Sequence, residues 1–239
     1  MSTLADSLQL AGGLIAAGDP ALLRIVGLSL RVSGTACLIG AVAGLLLGAW
    51  LAVTRFPGHG AVVWLSNTML ALPPVVVGLL VYLMLSRAGP LGELGLLFTP
   101  TAMVMAQAVL VLPLVTALAR RIVEDALDEG GEQLRSLGAG PMAAAGLLLV
   151  HQRRAVATAL LTAFSRAIAE VGAVMVVGGN IDGLTRVMTT SIALETSKGD
   201  LPLALALGVV LLGVVGLLNG MAGLLQRSAT GARRLPAWG

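Results

Sequence analysis

Cysteine and lysine each occur once, as Cys37 and Lys198, beside one tyrosine, three phenylalanines and two histidines. A lone cysteine excludes a disulfide scaffold and a cysteine-built zinc site. The lone lysine follows Glu195-Thr196-Ser197 rather than a glycine-rich turn, which excludes a P-loop. His59 and His151 are remote from each other, neither sits in a HExxH pattern, and no serine sits in a GxSxG elbow. Each histidine reads as a solvated loop residue. Charge is scarce as well, at 11% of 239 residues against roughly 25% in an ordinary soluble domain. With 57% hydrophobic residues and a mean hydropathy of +0.95, the chain is too apolar for disorder and for a water-soluble fold. The pI near 10.0 does not indicate nucleic acid, because the arginines are scattered between apolar runs and aromatics make up 3%. What remains is a polytopic membrane protein whose basic excess reports topology.

A spanning helix needs about 20 apolar residues, since the hydrocarbon core is ~30 Å thick and each helical residue rises about 1.5 Å. Five segments qualify. Val32 to Val53, Ala61 to Ser86, Leu94 to Ala119 and Leu201 to Leu225 are uncharged, and Ala155 to Gly178 is interrupted only by Arg166 and Glu170. Ser7 to Gly18 is uncharged but too short to cross, and it lacks the basic start of a signal peptide. Segment 1–19 is therefore expected to lie flat at the interface. Asp19-Pro20 reads as an N-cap followed by proline at the first helical position, so the first span's helix starts well before the bilayer. The expected fold class is an all-α membrane protein with one transmembrane domain over 1–239.

One set of alternate loops holds Arg55, Arg120, Arg121, Arg135, Arg153, Arg154, Arg227, Arg233 and Arg234, nine of the 15 basic residues. The opposite set holds Arg24, Arg31, Arg87, Arg186 and Lys198. The asymmetry predicts an external N-terminus and a cytoplasmic C-terminus. Glycines recur at helical spacing as Gly40, Gly44 and Gly48, and again as Gly216 and Gly220, a pattern that lets helix backbones approach closely. Pro73-Pro74 and Pro113 fall inside spans, where they remove backbone hydrogen bonds; a gate-lining kink and a packing irregularity are both open readings.

The longest expected cytoplasmic segment, 120–155, crowds its acids into its first half and places Leu134 and Leu137 three residues apart, the pattern of a short amphipathic helix. Gly138 and Gly140 end it and Pro141 starts the next. A surface helix-turn-helix held between two spans is a handle for a soluble partner; a merely solvated charged loop is the alternative.

Glu132-Gln133-Leu134 followed by Gly138-Ala139 resembles the EAA-xxx-G motif of permease subunits in bacterial ABC importers, although its middle reads Gln133-Leu134 rather than two alanines, and Val150-His151 stands where many members have leucine-proline. The motif lies between two spans, about 30 residues before Phe164-Ser165-Arg166-Ala167-Ile168-Ala169-Glu170-Val171-Gly172. That stretch, with Gly179-Asn180-Ile181-Asp182-Gly183-Leu184-Thr185, is similar to oxyanion permeases for molybdate, sulfate and tungstate. Thr185 through Asp200 is most similar to the tungstate branch. The resemblance implies a type I importer permease without cofactor, served by an ATP-binding cassette ATPase and an extracytoplasmic anion-binding protein. It also implies that Glu132 and Gly138, with Glu129, Leu134 and Ala139 beside them, dock the ATPase. One copy has too few helices to enclose a path, so a homodimer in lipid is expected, with no nucleic-acid partner.

Arg166 and Glu170 stand four apart in the fourth span and are expected to share a helix face, either as a structural ion pair or as gating residues. Arg186, with the hydroxyls of Thr185, Thr189, Thr190 and Ser191 and with Asn180 nearby, is the candidate for meeting an oxyanion, because guanidinium and hydroxyl donors replace the water it sheds. A plain solvated loop is the other reading of that cluster. The expected function is import of an oxyanion, tungstate first, with a molybdate or sulfate permease as the alternative. A membrane-embedded enzyme or a passive channel accounts less well for the acidic loop.

Overall fold

The structure is a computed structural model that describes residues 4–233. Arg234 and residues 1–3, named above in the loop and interfacial readings, lie outside the described residues. Among the described residues run ten α-helices and no strand: α1 (Leu4–Ala17), α2 (Pro20–Val53), α3 (His59–Met69), α4 (Pro74–Leu85), α5 (Pro100–Ser136), α6 (Pro141–His151), α7 (Arg153–Ile168), α8 (Gly172–Gly178), α9 (Met188–Lys198) and α10 (Leu201–Arg233). Three of them, α2, α5 and α10, are long and apolar enough to cross a membrane unbroken. Counting α3 with α4 and α7 with α8 as one interrupted span each brings the number to five. The all-α polytopic class is the one the composition demands.

Local chemistry sets the boundaries. Asp19 Oδ1 accepts the Leu22 N–H at 2.9 Å and Pro20 opens α2, as the sequence indicates; such a cap contributes about 1 kcal/mol. α2 therefore starts 12 residues before the uncharged run that begins at Val32. The expected second span is not one helix. Pro73 is extended, Pro74 occupies the first position of α4, and the chain turns between Met69 and Pro74. Proline lacks an N–H and pushes the residue before it out of the helical region, so the run of apolar residues cannot continue as a single helix.

The third span begins later than Leu94. Phe98 has a φ of 61°, Thr99 Oγ1 accepts the Ala102 N–H at 3.4 Å, and Pro100 starts α5. The same helix then runs through Pro113 and past Ala119 to Ser136, so the acidic loop helix is the end of the span rather than a separate element. The fourth span breaks between Ile168 and Gly172. Its exposed backbone groups find protein partners: Gln107 Nε2 donates to the Ala167 carbonyl at 2.8 Å, and the Thr189 hydroxyl donates to the Glu170 carbonyl at 2.8 Å. Glu170 Oε1 accepts the Ala173 N–H at 3.3 Å at the head of α8. Broken backbone at membrane depth persists only when it is satisfied in this way.

The fold resolves into two compact units. The first takes the chain up to Ala36, with Leu72–Val109 and Ser165–Gly216. Its buried side chains include Val32, Val81, Leu85, Met103, Val174, Met188 and Leu207. Within it, α4 and α8 pack backbone to backbone: a β-carbon on Gly78 would lie 2.8 Å from Ala173 Cα, and one on Gly172 would lie 2.7 Å from Val75 Cγ2. The second takes Cys37–Ala71, Leu110–Phe164 and the chain from Leu217. Ala49, Ala52, Val123, Ala126, Ala145 and Leu148 form its core, with Leu134 packed against them. Here Gly40, Gly44 and Gly48 of α2 meet Val111, Val115, Thr116 and Ala119 of α5, the close approach that their spacing indicates. Gly216 and Gly220 differ, since a β-carbon on either would meet nothing within 4 Å.

Candidate functional site

Two places gather the residues singled out from the sequence. In the second unit, the tip of α5 is anchored on its apolar side and exposed on its polar side. Arg120 Nη1 donates to both carboxylate oxygens of Glu124, at 2.8 and 2.7 Å. Leu134 is half-buried on the alanine-rich core, whereas Glu129, Glu132 and Gln133 are exposed and Leu137 is 82% exposed. The helix stops because Gly138 takes a φ of 78°, a conformation that a β-carbon disfavours. Ala139 N–H then reaches back to the Leu134 carbonyl at 3.0 Å, the bond that closes a Schellman motif. Gly140 precedes Pro141, which opens α6. A cavity of about 720 Å³ runs beneath this turn, lined by Arg55, Glu124, Asp128, Glu132, Gln133 and Ala139. The arrangement holds a short row of exposed acids beside a turn closed by its own backbone hydrogen bonds.

In the first unit, the turn from Gly178 to Ser191 is braced by its own threonines. The fully buried Thr185 donates its hydroxyl to the Gly178 carbonyl at 2.6 Å and accepts the Ile181 N–H at 2.9 Å. Thr190 accepts the Val187 N–H at 3.1 Å, and Asn180, at a φ of 51°, donates to the Thr190 carbonyl at 3.3 Å. Ser29 Oγ accepts the Met188 N–H at 2.7 Å. The hydroxyls of Thr185, Thr189 and Thr190 are thus occupied by backbone, and the cluster is a built turn rather than a solvated loop. Asp182 and Arg186 are the charged groups of this turn, paired at 3.2 Å.

Arg166 and Glu170 do not form the expected ion pair. Sharing a face at four residues' spacing requires a continuous helix, and α7 ends at Ile168 between them. Arg166 stays exposed, while Glu170 caps α8. His59 is also not a solvated loop residue: half-buried at the start of α3, its Nε2 lies 2.9 Å from the Leu51 carbonyl and its ring meets Phe56 edge-on. His151 is exposed at the end of α6. Among the described residues no cluster of three or more histidine, cysteine or acidic side chains has metal-binding geometry.

The sequence reading passes over Gln107, whose only signal is a single amide in an uncharged apolar run, and treats Arg24 and Arg31 as topology charges alone. Gln107 is buried, and it satisfies the backbone break from 60 residues away. Arg24 and Arg31 share a cavity with Arg186.

No family model matches the chain. It is, however, 41% identical over 226 residues to the tungstate uptake system permease protein TupB of Peptoclostridium acidaminophilum, an alignment covering 95% of this chain and 99% of that one. This chain belongs to the family of anion ABC transporter permeases. A probable anion ABC transporter permease protein of Haloferax volcanii is 38% identical to this permease over 81% of the chain and 86% of its own length. The TupB protein of Campylobacter jejuni is 38% identical over 68% of each chain. Permease proteins of molybdenum and sulfate transport systems are more distant relatives. This permease is a multi-pass inner-membrane transport protein, and the exposed acidic turn and the braced arginine turn are the features its transport role has to explain.

Proposed function

We propose that this permease is the translocating subunit of an ATP-driven importer whose cargo is tungstate. The observation that supports the reading best is 41% identity to a tungstate uptake permease across 99% of that protein's length. A separate ATPase subunit supplies the hydrolysis, consistent with a chain whose one lysine lies in no P-loop. The N-terminus is external, the C-terminus cytoplasmic, and α1 lies along the membrane with Leu8 and Leu10 exposed to lipid. Two copies enclose the path, and α10, whose most apolar stretch is only 17% buried, faces lipid and the second copy.

In this reading Glu132 and Gly138, flanked by Glu129, Leu134 and Ala139, dock the ATPase. Closure of the ATPases on nucleotide is passed through the turn at Gly138 into α5 and α6 and rocks the spans. Arg166 and Glu170 act at the break of the fourth span: Glu170 holds the head of α8, and Arg166 remains free to respond as that break moves. Asn180, Thr185, Thr189 and Thr190 position the turn that carries Arg186. An extracytoplasmic binding protein delivers the anion.

Competition in the assembled transporter tests the cargo. With ATPase, permease and binding protein reconstituted in liposomes, uptake of tungstate is expected to resist a roughly tenfold molar excess of sulfate, because donors placed for the larger oxyanion are left imperfectly paired around the smaller one. Molybdate, of nearly the same size and charge, is compared at equal concentration. Suppression of tungstate uptake by sulfate or molybdate at equal concentration would reassign the cargo.

A further inference from the structure

Arg24 and Arg31 of α2 lie seven residues apart, on one helix face and about 10 Å along the axis. With Gly27 and Leu28 between them, and Asp182 and Arg186 of the 178–191 turn, they line a cavity of about 360 Å³. Three guanidiniums and one carboxylate leave this cavity with a formal charge of +2. Among the described residues Arg24 and Arg31 enter no ion pair, and Arg186 Nε is buried without a hydrogen-bond partner. The single neutralising contact, Arg186 to Asp182, is 3.2 Å long and its carboxylate side chain is 78% exposed. An exposed pair of this kind contributes about 0–1 kcal/mol and yields to a competing anion.

Arg24 and Arg31 are exposed, so water screens their mutual repulsion, but the Arg186 Nε–H is buried without a partner, and an unpartnered buried N–H is costly. A small anion carrying two charges supplies that partner and balances the formal charge of the cavity. The threonine hydroxyls of the same turn are spent on backbone, and Ser191, whose hydroxyl has no partner, does not line the cavity, which leaves guanidinium forks as its side-chain donors. Their planar, paired N–H groups match the oxygen edges of a tetrahedral oxyanion. The cavity sits at the head of the first span, before the uncharged run that begins at Val32.

We propose that Arg24, Arg31 and Arg186 form an entry site for divalent tetrahedral oxyanions, a charge filter that the anion occupies on release from its binding protein. This inference rests on the import reading above and adds the residues of the first contact. The site selects by charge and shape: tungstate, molybdate and sulfate enter, and chloride and other monovalent anions do not.

The test uses the full-length permease with its ATPase in nanodiscs of phosphatidylcholine alone, without binding protein. Binding of radiolabelled tungstate, molybdate and sulfate is measured by equilibrium dialysis at constant ionic strength. Saturable binding of all three is expected, unaffected by exchanging chloride for acetate. The double variant Arg24→Gln/Arg31→Gln should lose at least about tenfold in affinity, a change equivalent to ~1.4 kcal/mol, and Arg24→Lys/Arg31→Lys should recover most of it. Both positions are exposed, so neither variant threatens the fold. Unchanged affinity in the glutamine variant overturns the proposal, as does absence of binding by every oxyanion. Normal anion affinity in the glutamine variant, combined with lost association in a separate pull-down with the binding protein, would make the arginines a protein-docking patch and also overturns it. The dialysis is repeated in nanodiscs that contain phosphatidylglycerol; loss of all oxyanion binding there would assign the cavity to a lipid headgroup phosphate, a third contrary result. Failure of the tungstate reading is distinct: it shows in the assembled transporter as missing tungstate uptake, whatever the binding of the other oxyanions.

Discussion

Glu132→Lys is expected to strip the ATPase subunit from the purified permease while leaving membrane insertion intact. Glu132 is exposed on the last turns of α5 and lines the 720 Å³ cavity with the acidic Glu124 and Asp128. Reversing its charge changes the surface proposed to face the partner and removes no hydrogen bond or ion pair made among the described residues. At an interface, truncating or reversing one member of a hydrogen-bonded charge pair costs about 2–5 kcal/mol, so recovery of the complex should fall at least tenfold, roughly. Pull-down on a tagged permease, with detergent-extracted yield as the control, reads both quantities. A normal yield of intact complex from the lysine variant would remove Glu132 from the docking surface. Loss of the permease itself would instead place the residue in the fold.

The second large effect belongs to Gly48. A β-carbon there would lie 2.5 Å from the Thr116 carbonyl oxygen and 2.9 Å from the Arg120 N, both backbone atoms that cannot rotate away. Gly48→Leu must therefore part α2 from α5 in the second unit. Overpacking usually costs about 1–3 kcal/mol, and rigid backbone on the facing side puts this case at the top of that range or above it. Gly34, on the same helix, has nothing within 4 Å of its absent β-carbon. Gly34→Ala is accordingly expected to be neutral or to gain roughly 0.5–1 kcal/mol from reduced chain entropy. Thermal unfolding of the purified variants in one detergent compares them. Equal melting temperatures for Gly48→Leu and Gly34→Ala would contradict the glycine-mediated contact.

The parts of the fold that were legible are those decided by neighbours in sequence. Asp19-Pro20 announces the start of α2 because a cap and its N–H lie three residues apart. Gly138 announces the end of α5 because a left-handed residue closes a local hydrogen bond. Uncharged runs reveal the spans because lipid admits little else. The breaks inside two spans were less legible. Pro73-Pro74 carries a visible signal in its missing donors, but the break at Ala169–Val171 depends on Gln107 and Thr189, whose side chains arrive from other helices. An apolar run with two charges reads as one helix until those partners are in place.

The same distinction separates the candidate sites. The residues proposed to dock the ATPase form one short stretch, so the resemblance that singles them out can be carried by neighbours in sequence alone. Arg166 and Glu170 shared a face only on the assumption of an unbroken helix, and the break removed it. Arg24 and Arg31 stand more than 150 residues from Arg186 in sequence, and only the fold places the three around one cavity. The threonines beside Arg186 looked like spare donors because composition does not reveal that the backbone of their own turn already occupies them.

The proposed function requires that this permease move an anion only when an external motor drives it. Liposomes containing the purified permease alone, and liposomes containing it with ATPase and binding protein, are loaded with ATP and exposed to labelled tungstate. Accumulation against a gradient is expected only in the complete assembly, and it should stop when a non-hydrolysable nucleotide replaces ATP. Concentrative uptake by the permease by itself would contradict the account.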